Sequence, residues 1–395
     1  MIIARTFIAF AKPAIVAGAV GASAVGGWFA IGKLDPHGNV SPFQQVQGHG
    51  QRLLISEFGD KADTIVAVDP NDVAGARTQI ATVDHAPGFG VFPVLAHDGK
   101  AIAYTALPPG AIKPGPASAA EAAIVDVGGE THALADDVDL LVTPIWSPDD
   151  QSIVVRKNTA PRDGSDGAGS FELLLLGRDG SRSTITSWQS ASVFPISYSN
   201  DGAKIYFATL NNTGADLYSV APNGSGETKI AHLSDEIARD WRLSPDGATI
   251  AYSVATSGAS PAVITKTLAL DSGNATEAVA ADQLEAGPPS TGIARGELNP
   301  TWRPGGQLTI GALKLDGGGD ALTIDGAGAT SRVTTNANGI DLPLAWAPDE
   351  TSLAVRALDG RTPFDASTSH VDLVRNGNRE RVSENADVLI VGWLK

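Results

Sequence analysis

The chain has 395 residues, 43% hydrophobic and 18% charged, with a net charge of −16 at pH 7. That composition fits a packed globular body and excludes a disordered one. Cysteine is absent, which excludes disulfides and thiolate metal sites, and the acidic surplus repels phosphate backbones, so no nucleic-acid partner is expected.

Residues 1–33 differ from the rest. From Pro13 to Gly32 no residue is charged, a run long enough to cross a bilayer as a helix. Arg5 and Lys12 precede it and favour a cytoplasmic N-terminus. Two readings follow. An uncleaved signal anchor would tie the body to the cell membrane, facing out of the cytoplasm. Cleavage after Ala22-Ser23-Ala24 would instead release a periplasmic or secreted body. Residues 34–48 read as a polar linker and 49–395 as one repeat-built domain.

Within that domain one phrase recurs: "WSPDDQSIVV" from Trp146, "YSNDGAKIYFA" from Tyr198, "LSPDGATIAYS" from Leu243 and "WAPDETSLAVR" from Trp346. Aligned on its acidic position, it falls at Asp98, Asp149, Asp201, Asp246, Gly305 and Asp349, spaced by 44 to 59 residues, a period of propeller blades. Pro presets φ, Asp caps the turn and Gly supplies positive φ, while apolar residues flank both sides. Each phrase therefore joins two strands in a hairpin. An apolar third strand follows, such as "FELLLLG" from Phe171 or "DLYSVA" from Asp216, and then a more polar fourth, such as "STITS" or "TKIAHL". Aromatics before the phrase, Trp146, Tyr198, Trp302 and Trp346, are expected between blades.

The ends complete the pattern. "GQRLLIS" at 50–56 resembles a second strand lacking a first, and "VLIVGWLK" at 388–395 resembles a first strand, with Trp393 where Trp146 and Trp346 stand. The expected fold is all-β: a seven-bladed β-propeller closed by the C-terminal strand, preceded by one N-terminal transmembrane or signal helix. Closure of this kind leaves no open edge.

The phrase resembles the TolB-type propeller repeat, found in the periplasmic Tol translocation protein and in the propellers of prolyl oligopeptidase-like and tricorn-like peptidases. The resemblance spans roughly residues 49–395 and implies the fold, while the family ranges from scaffolds to gates on proteases. The Tol protein has a separate N-terminal partner-binding domain, whereas a membrane segment and a linker are expected before the blades here.

Motifs for chemistry are sparse. The Gly-x-Ser-x-Gly elbow and the phosphate-binding glycine loop are both absent. No catalytic residue is assigned. The seven histidines show no His-x-x-x-His spacing, and "LDGGGD" at 315–320 reads as a hairpin loop. No cofactor is expected. Asp163 and Asp166, in a glycine-rich stretch at 161–170, offer calcium-type oxygen ligands without a full ligand count. A Pro-rich insertion at 107–121 reads as a solvated loop.

Connections from one blade's outer strand to the next blade's inner strand converge on one face, where propellers bind. Here they carry Asp84, His85, Asp136, Asp137, Asp139, Asp235, Glu236, Asp240, Glu297, Asp341, Glu384 and Asp387, opposed by Arg239, Arg242 and Arg295. The candidate binding residues are Asp84, His85, Asp137, Asp139, Asp235, Glu236, Arg239, Asp341 and Asp387. An acidic rim attracts cations, basic peptides or sugar hydroxyls, although polar loops of an acidic protein are acidic in any case. The expected function is a non-enzymatic cell-envelope scaffold or sensor, binding an envelope protein or a small cationic or sugar ligand. The alternative is a propeller enzyme of lyase, lactonase or glycosidase type, with acid–base or metal chemistry at the channel mouth.

Overall fold

A computed structural model describes residues 41–111, 119–159, 170–189, 191–257, 261–279, 295–314, 317–337, 339–362, 368–383 and 387–395. The apolar segment 1–33 and the calcium-like stretch 161–169 lie outside the described residues. Among those described, no helix is long and apolar enough to cross a membrane.

One short helix, α1 (Pro42–Val46), precedes the strands. The first blade holds β1 (Arg52–Glu57), β2 (Ala62–Val68) and β3 (Thr78–Asp84). The second comprises β4 (Phe92–Leu95), β5 (Ala101–Ala106), β6 (Ala119–Asp126) and β7 (Thr131–Asp139). The third comprises β8 (Ile145–Trp146), β9 (Ser152–Asn158), β10 (Phe171–Gly177) and β11 (Arg182–Trp188), and the fourth β12 (Ser192–Tyr198), β13 (Ile205–Asn211), β14 (Gly214–Val220) and β15 (Thr228–Ser234). Next come β16 (Ile237–Leu243), β17 (Thr249–Thr256), β18 (Ala262–Ala269) and the short β19 (Ala275–Glu277), then β20 (Arg295–Trp302), β21 (Leu308–Leu313), β22 (Gly319–Ile324) and the short β23 (Thr330–Arg332). Last are β24 (Gly339–Trp346), β25 (Leu353–Asp359), β26 (Thr368–Arg375), β27 (Asn378–Ser383) and β28 (Val388–Leu394).

Four sheets hold four antiparallel strands each, and a fifth of twelve strands is three such meanders joined by parallel bridges. The bridges are Ala262↔Arg295 and Val263↔Gly296 between β18 and β20, and Gly319↔Ile340 between β22 and β24. They form where β19 and β23 stop early, so the next inner strand covers an edge that the outer strand leaves open. β28 pairs with β1, Arg52 opposite Leu394, which brings the two ends of the fold into one sheet, β28-β1-β2-β3. The β-propeller expectation holds.

Burial explains the strand types. β5 is buried at every residue and β21 likewise, so central strands read as unbroken apolar runs. Outer strands such as β11 expose most residues. The phrase's glycine position has positive φ in Gly99, Gly202, Gly247 and Gly306, at 70° to 90°. Asp150 and Glu350 occupy the same position at 56° and 60°, an αL conformation that acidic and amide residues tolerate better than branched ones.

The linker expectation fails at its C-terminal end. Residues 41–47 are docked on the propeller: Ser41 and Gln44 form a capping box, Pro42 starts the helix, and Phe43 is fully buried. Phe43 and Val46 pack with Leu54, Ile65 and Ile102. The Ser41 hydroxyl donates to the Val127 carbonyl, and Gln47 Nε2 donates to Gly99 O at 2.7 Å. Two apolar residues three apart make one buried helical stripe inside a polar stretch.

Candidate functional site

The structure puts many of the predicted rim residues to use inside the fold. His85 is 1% exposed. Its Nε2 lies 2.9 Å from Asp63 Oδ1 and its Nδ1 2.9 Å from Ala86 O. The second oxygen of Asp63 accepts the Val91 amide at 2.9 Å, so the pair ties β2 to the chain entering β4. His85 is a core residue and not a rim ligand. Phe58 stacks on its ring with centroids 5.8 Å apart.

Asp137 and Asp139 were expected in a connecting loop. Instead β7 continues through both, past bulges at Ala120/Ala122 and Ala122/Ala123 in its pairing with β6. Asp137 lies between Lys157 Nζ at 2.5 Å and Arg182 Nη1 at 2.9 Å, across the blade boundary. The Arg182 hydrogen bond, reinforced by Lys157, holds its carboxyl down at about 2. Asp139 is buried against Arg156 Nε at 2.5 Å. Arg156 also lies over the rings of Phe171 and Phe194, at 5.2 and 4.6 Å, and donates to Val193 O of the next blade at 3.3 Å. Desolvation pushes its guanidinium below the usual arginine range.

Asp341 is fully buried in β24. It accepts from Asn336 Nδ2 at 3.0 Å and from Arg379 Nη2 at 2.5 Å, and Arg379 also bonds Asp372 at 2.8 Å. Asp387 is half-buried and its carbonyl accepts the Phe58 amide at 3.0 Å. Its carboxylate faces Arg356, whose guanidinium donates to Val388 O. Arg239 lies in β16 beside Asp240, at 3.4 Å. Glu236 is half-buried and accepts from Ser257 Oγ at 2.7 Å.

What remains open is smaller than the predicted set. Asp84 and Asp136 are exposed, and the Asp235 side chain is 94% exposed with one bond to His232 Nε2 at 3.1 Å. Asp136 also bears on Glu121: burial first, and then the Asp136 charge, hold the Glu121 carboxyl above the ordinary range. The residues that the sequence reading missed are the basic partners, Arg156, Arg356 and Arg379. A signal was present: arginine directly after "SIVV" or "LAV" in a central strand demands a buried counter-charge or carbonyl.

One group of side chains has metal-ligand composition. Asp126, Glu130 and His132, at the β6–β7 hairpin, place one donor atom each within 4.8 Å of one another. His132 Nε2 already bonds Asp126 Oδ2 at 3.2 Å and Asp126 Oδ1 accepts the Glu130 amide at 3.0 Å, so the hairpin accounts for the cluster without an ion.

Blade seams repeat a second device. Trp146 Nε1 donates to Val94 O at 3.2 Å, Trp302 Nε1 to Arg242 O at 3.0 Å and Trp346 Nε1 to Thr309 Oγ1 at 2.9 Å, each reaching the preceding blade. The expectation that these aromatics pack between blades is met. Such a fold, of four-stranded antiparallel meanders with seams closed by tryptophans and buried ion pairs, is that of an antiparallel β-propeller.

No family model matches the chain, and no curated protein matches it. Among solved structures, one from a study of two prolyl endopeptidases matches at 15% identity and a TM-score of 0.55, over 86% of this chain and 50% of its own. This chain thus spans about half the length of that peptidase. An oligogalacturonate lyase from Vibrio parahaemolyticus matches at 12% identity and a TM-score of 0.52, over 85% of this chain and 92% of its own. TolB from Acinetobacter baumannii stands at 14% identity, a TM-score of 0.48, and 86% and 81% coverage. The peptidase and the lyase share this fold and differ in chemistry, so fold alone does not assign an activity.

Proposed function

We propose that the chain is a seven-bladed propeller, closed by β28, that serves as a non-enzymatic binding scaffold or sensor in the cell envelope. Residues 1–33 would anchor it, with the propeller outside the cytoplasm. The observation that carries this reading is the division of labour among the rim acids. Asp139 and Asp341 are buried against arginines and Asp137 is paired with two cations, whereas Asp84, Asp136 and Asp235 stay exposed. The first group is committed to folding. The second keeps hydrated carboxylates available to a partner, and fits a basic protein surface or a small cation.

The test is crosslinking and pull-down of the full-length protein from cells, beside an Asp84→Asn/Asp136→Asn/Asp235→Asn variant. All three positions are exposed, so the variant keeps the fold, as circular dichroism will verify. A specific envelope protein captured by the wild type and lost in the variant supports the scaffold. Equal capture by both removes the acidic face from the reading. Capture of nothing specific by either, together with turnover of a screened glycoside or lactone by the purified propeller, replaces the scaffold with an enzyme.

A further inference from the structure

α1 fixes where the chain arrives on the propeller. Phe43 and Val46 pack between the first two blades, against Leu54 and Ile65 of one and Ile102 and Val125 of the other. The Ser41 hydroxyl donates to Val127 O, in the turn that joins β6 to β7. Gln47 Nε2 donates to Gly99 O at 2.7 Å, in the turn that joins β4 to β5. In an antiparallel meander these two turns lie at the same end of the blade. Blades repeat one strand order, so such turns share one face of the ring, the hairpin face.

The exposed acids stand at the other end. Asp84 is opposite Ala62, where β2 begins, and Asp235 follows Ser234, which is opposite Ala215 near the start of β14. Asp136 follows Ala135, which is opposite Ala122 in the first half of β6. Ile237, the one large apolar side chain exposed among the described residues, opens β16 beside Asp235 and Glu236.

We propose that the propeller is held with its hairpin face toward the bilayer, and that Asp84, Asp136, Asp235 and Ile237 face away from it, toward a protein partner. This rests on the reading of residues 1–33 as an anchor. Eight residues lie between Gly32, the end of the uncharged run, and Ser41, and they span at most about 27 Å. A blade is as tall: β13 alone has seven residues, about 23 Å, before its turns are added. Turning the acidic face to the membrane would take the tether past that height and around the rim of the ring as well, and it is too short. Charge does not choose between the faces, because the hairpin turns are acidic too, at Asp98, Asp149, Asp201, Asp246 and Asp349. Repulsion from anionic lipid is also screened beyond about 8 Å. The point of attachment and the length of the tether therefore set the orientation. A partner of the acidic face then approaches from the compartment and not from the same bilayer.

The chain has no cysteine, so one introduced cysteine carries one dye. Ala203 and Asn212 are exposed and flank β13 at its hairpin and acidic ends, and Ala74 and Lys61 flank β2 in the same way. Each single-cysteine variant of the full-length protein, its N-terminal mass verified, goes into phosphatidylethanolamine–phosphatidylglycerol vesicles that contain a rhodamine-headgroup lipid as energy acceptor. Transfer from Ala203→Cys should exceed that from Asn212→Cys about twofold, and Ala74→Cys should exceed Lys61→Cys likewise, since a blade height separates each pair. Equal or inverted transfer in either pair, in protein that floats with the vesicles, overturns the orientation and leaves the anchor standing. Intact protein that does not float overturns the anchor and the orientation with it. Phe43→Ala/Val46→Ala should release α1, lengthen the tether and bring each pair together. A difference that survives this release overturns α1 as the contact that sets the orientation.

Discussion

Ser244 and Asp246 explain why one phrase is written into so many hairpins. The serine hydroxyl donates to Asp246 Oδ1, which accepts the Ala248 amide at 3.0 Å, while Ser244 Oγ accepts the Thr249 amide at 2.9 Å. The same triangle recurs as Ser147, Asp149 and the amides of Gln151 and Ser152, and as Ser199, Asp201 and the amides of Ala203 and Lys204. Each serine donation pulls its aspartate below the ordinary carboxylate range. Turn amides that would otherwise go unpaired are thereby closed within the loop. Three phrases depart from this, with Ala96, Arg303 and Ala347 in the serine position, and Ala347 is 1% exposed. Ser244→Ala should therefore lower stability by about 1 kcal/mol, and Ala347→Ser should raise it by up to about 1 kcal/mol, provided the hydroxyl finds the Asp349 carboxylate and the Ser352 amide. Urea midpoints at unchanged m-value measure both. If Ser244→Ala leaves the midpoint where it was, the triangle is decoration and the phrase is kept for its backbone alone.

At the scale of elements, neighbouring blades are held by strand-borne charges as well as by apolar contact. β7 carries Asp137 and Asp139 to the next blade, where Lys157 and Arg156 come from β9 and Arg182 from β11. Asp137 titrates at about 2, below its unfolded value, so its contribution is complete above about pH 4 and disappears as the pH falls toward 2. Its site is partly open to solvent, and screening limits the gain to about 1 kcal/mol. Asp137→Asn should flatten that part of the acid limb and leave stability above about pH 4 lower by the same amount. Thermal midpoints between pH 2 and 7, compared with the wild type, show it. An acid limb of unchanged steepness would mean that Lys157 and Arg182 add nothing to stability through Asp137.

Elements also show what a reader of the sequence alone can and cannot find. The hairpin period was legible because Pro, Asp and Gly have local conformational reasons to recur. The tryptophan seams were legible from their fixed place before each phrase. Asp137 was not, because a β-bulge shifts the alternation and lets a strand run on into residues that look like loop. His85 and Asp341 were not, because burial of a charge depends on a partner distant in sequence: Asp63 for one, Arg379 for the other. α1 was not, because a single turn carries too few residues for a period to emerge.

For the whole molecule the decisive contact is between its two ends. β28 pairs with β1 over Arg52↔Leu394 to Glu57↔Val388, a separation of more than three hundred residues. Val388, Val391 and Leu394 are 0%, 4% and 2% exposed. Each buried aliphatic side chain of this kind contributes about 2 kcal/mol, so the three supply about 6 kcal/mol. Natural domains hold only about 5–15 kcal/mol in total, which makes this one strand comparable to the net stability of the fold. Its removal does further harm on β1, where Leu53, Leu54 and Ile55 are all fully buried and would face solvent along an unpaired edge. Deleting residues 388–395 should therefore abolish the single unfolding transition and yield aggregates. Val391→Ala, which keeps the strand, should cost about 2 kcal/mol and leave the transition cooperative. Urea unfolding followed by tryptophan fluorescence, with size-exclusion chromatography of the truncated chain, separates the outcomes. A truncated chain that stays monomeric and unfolds once, near the full-length midpoint, would show that the blades stand without closure. The pairing of β28 with β1 would then be an ornament of the fold and not its lock.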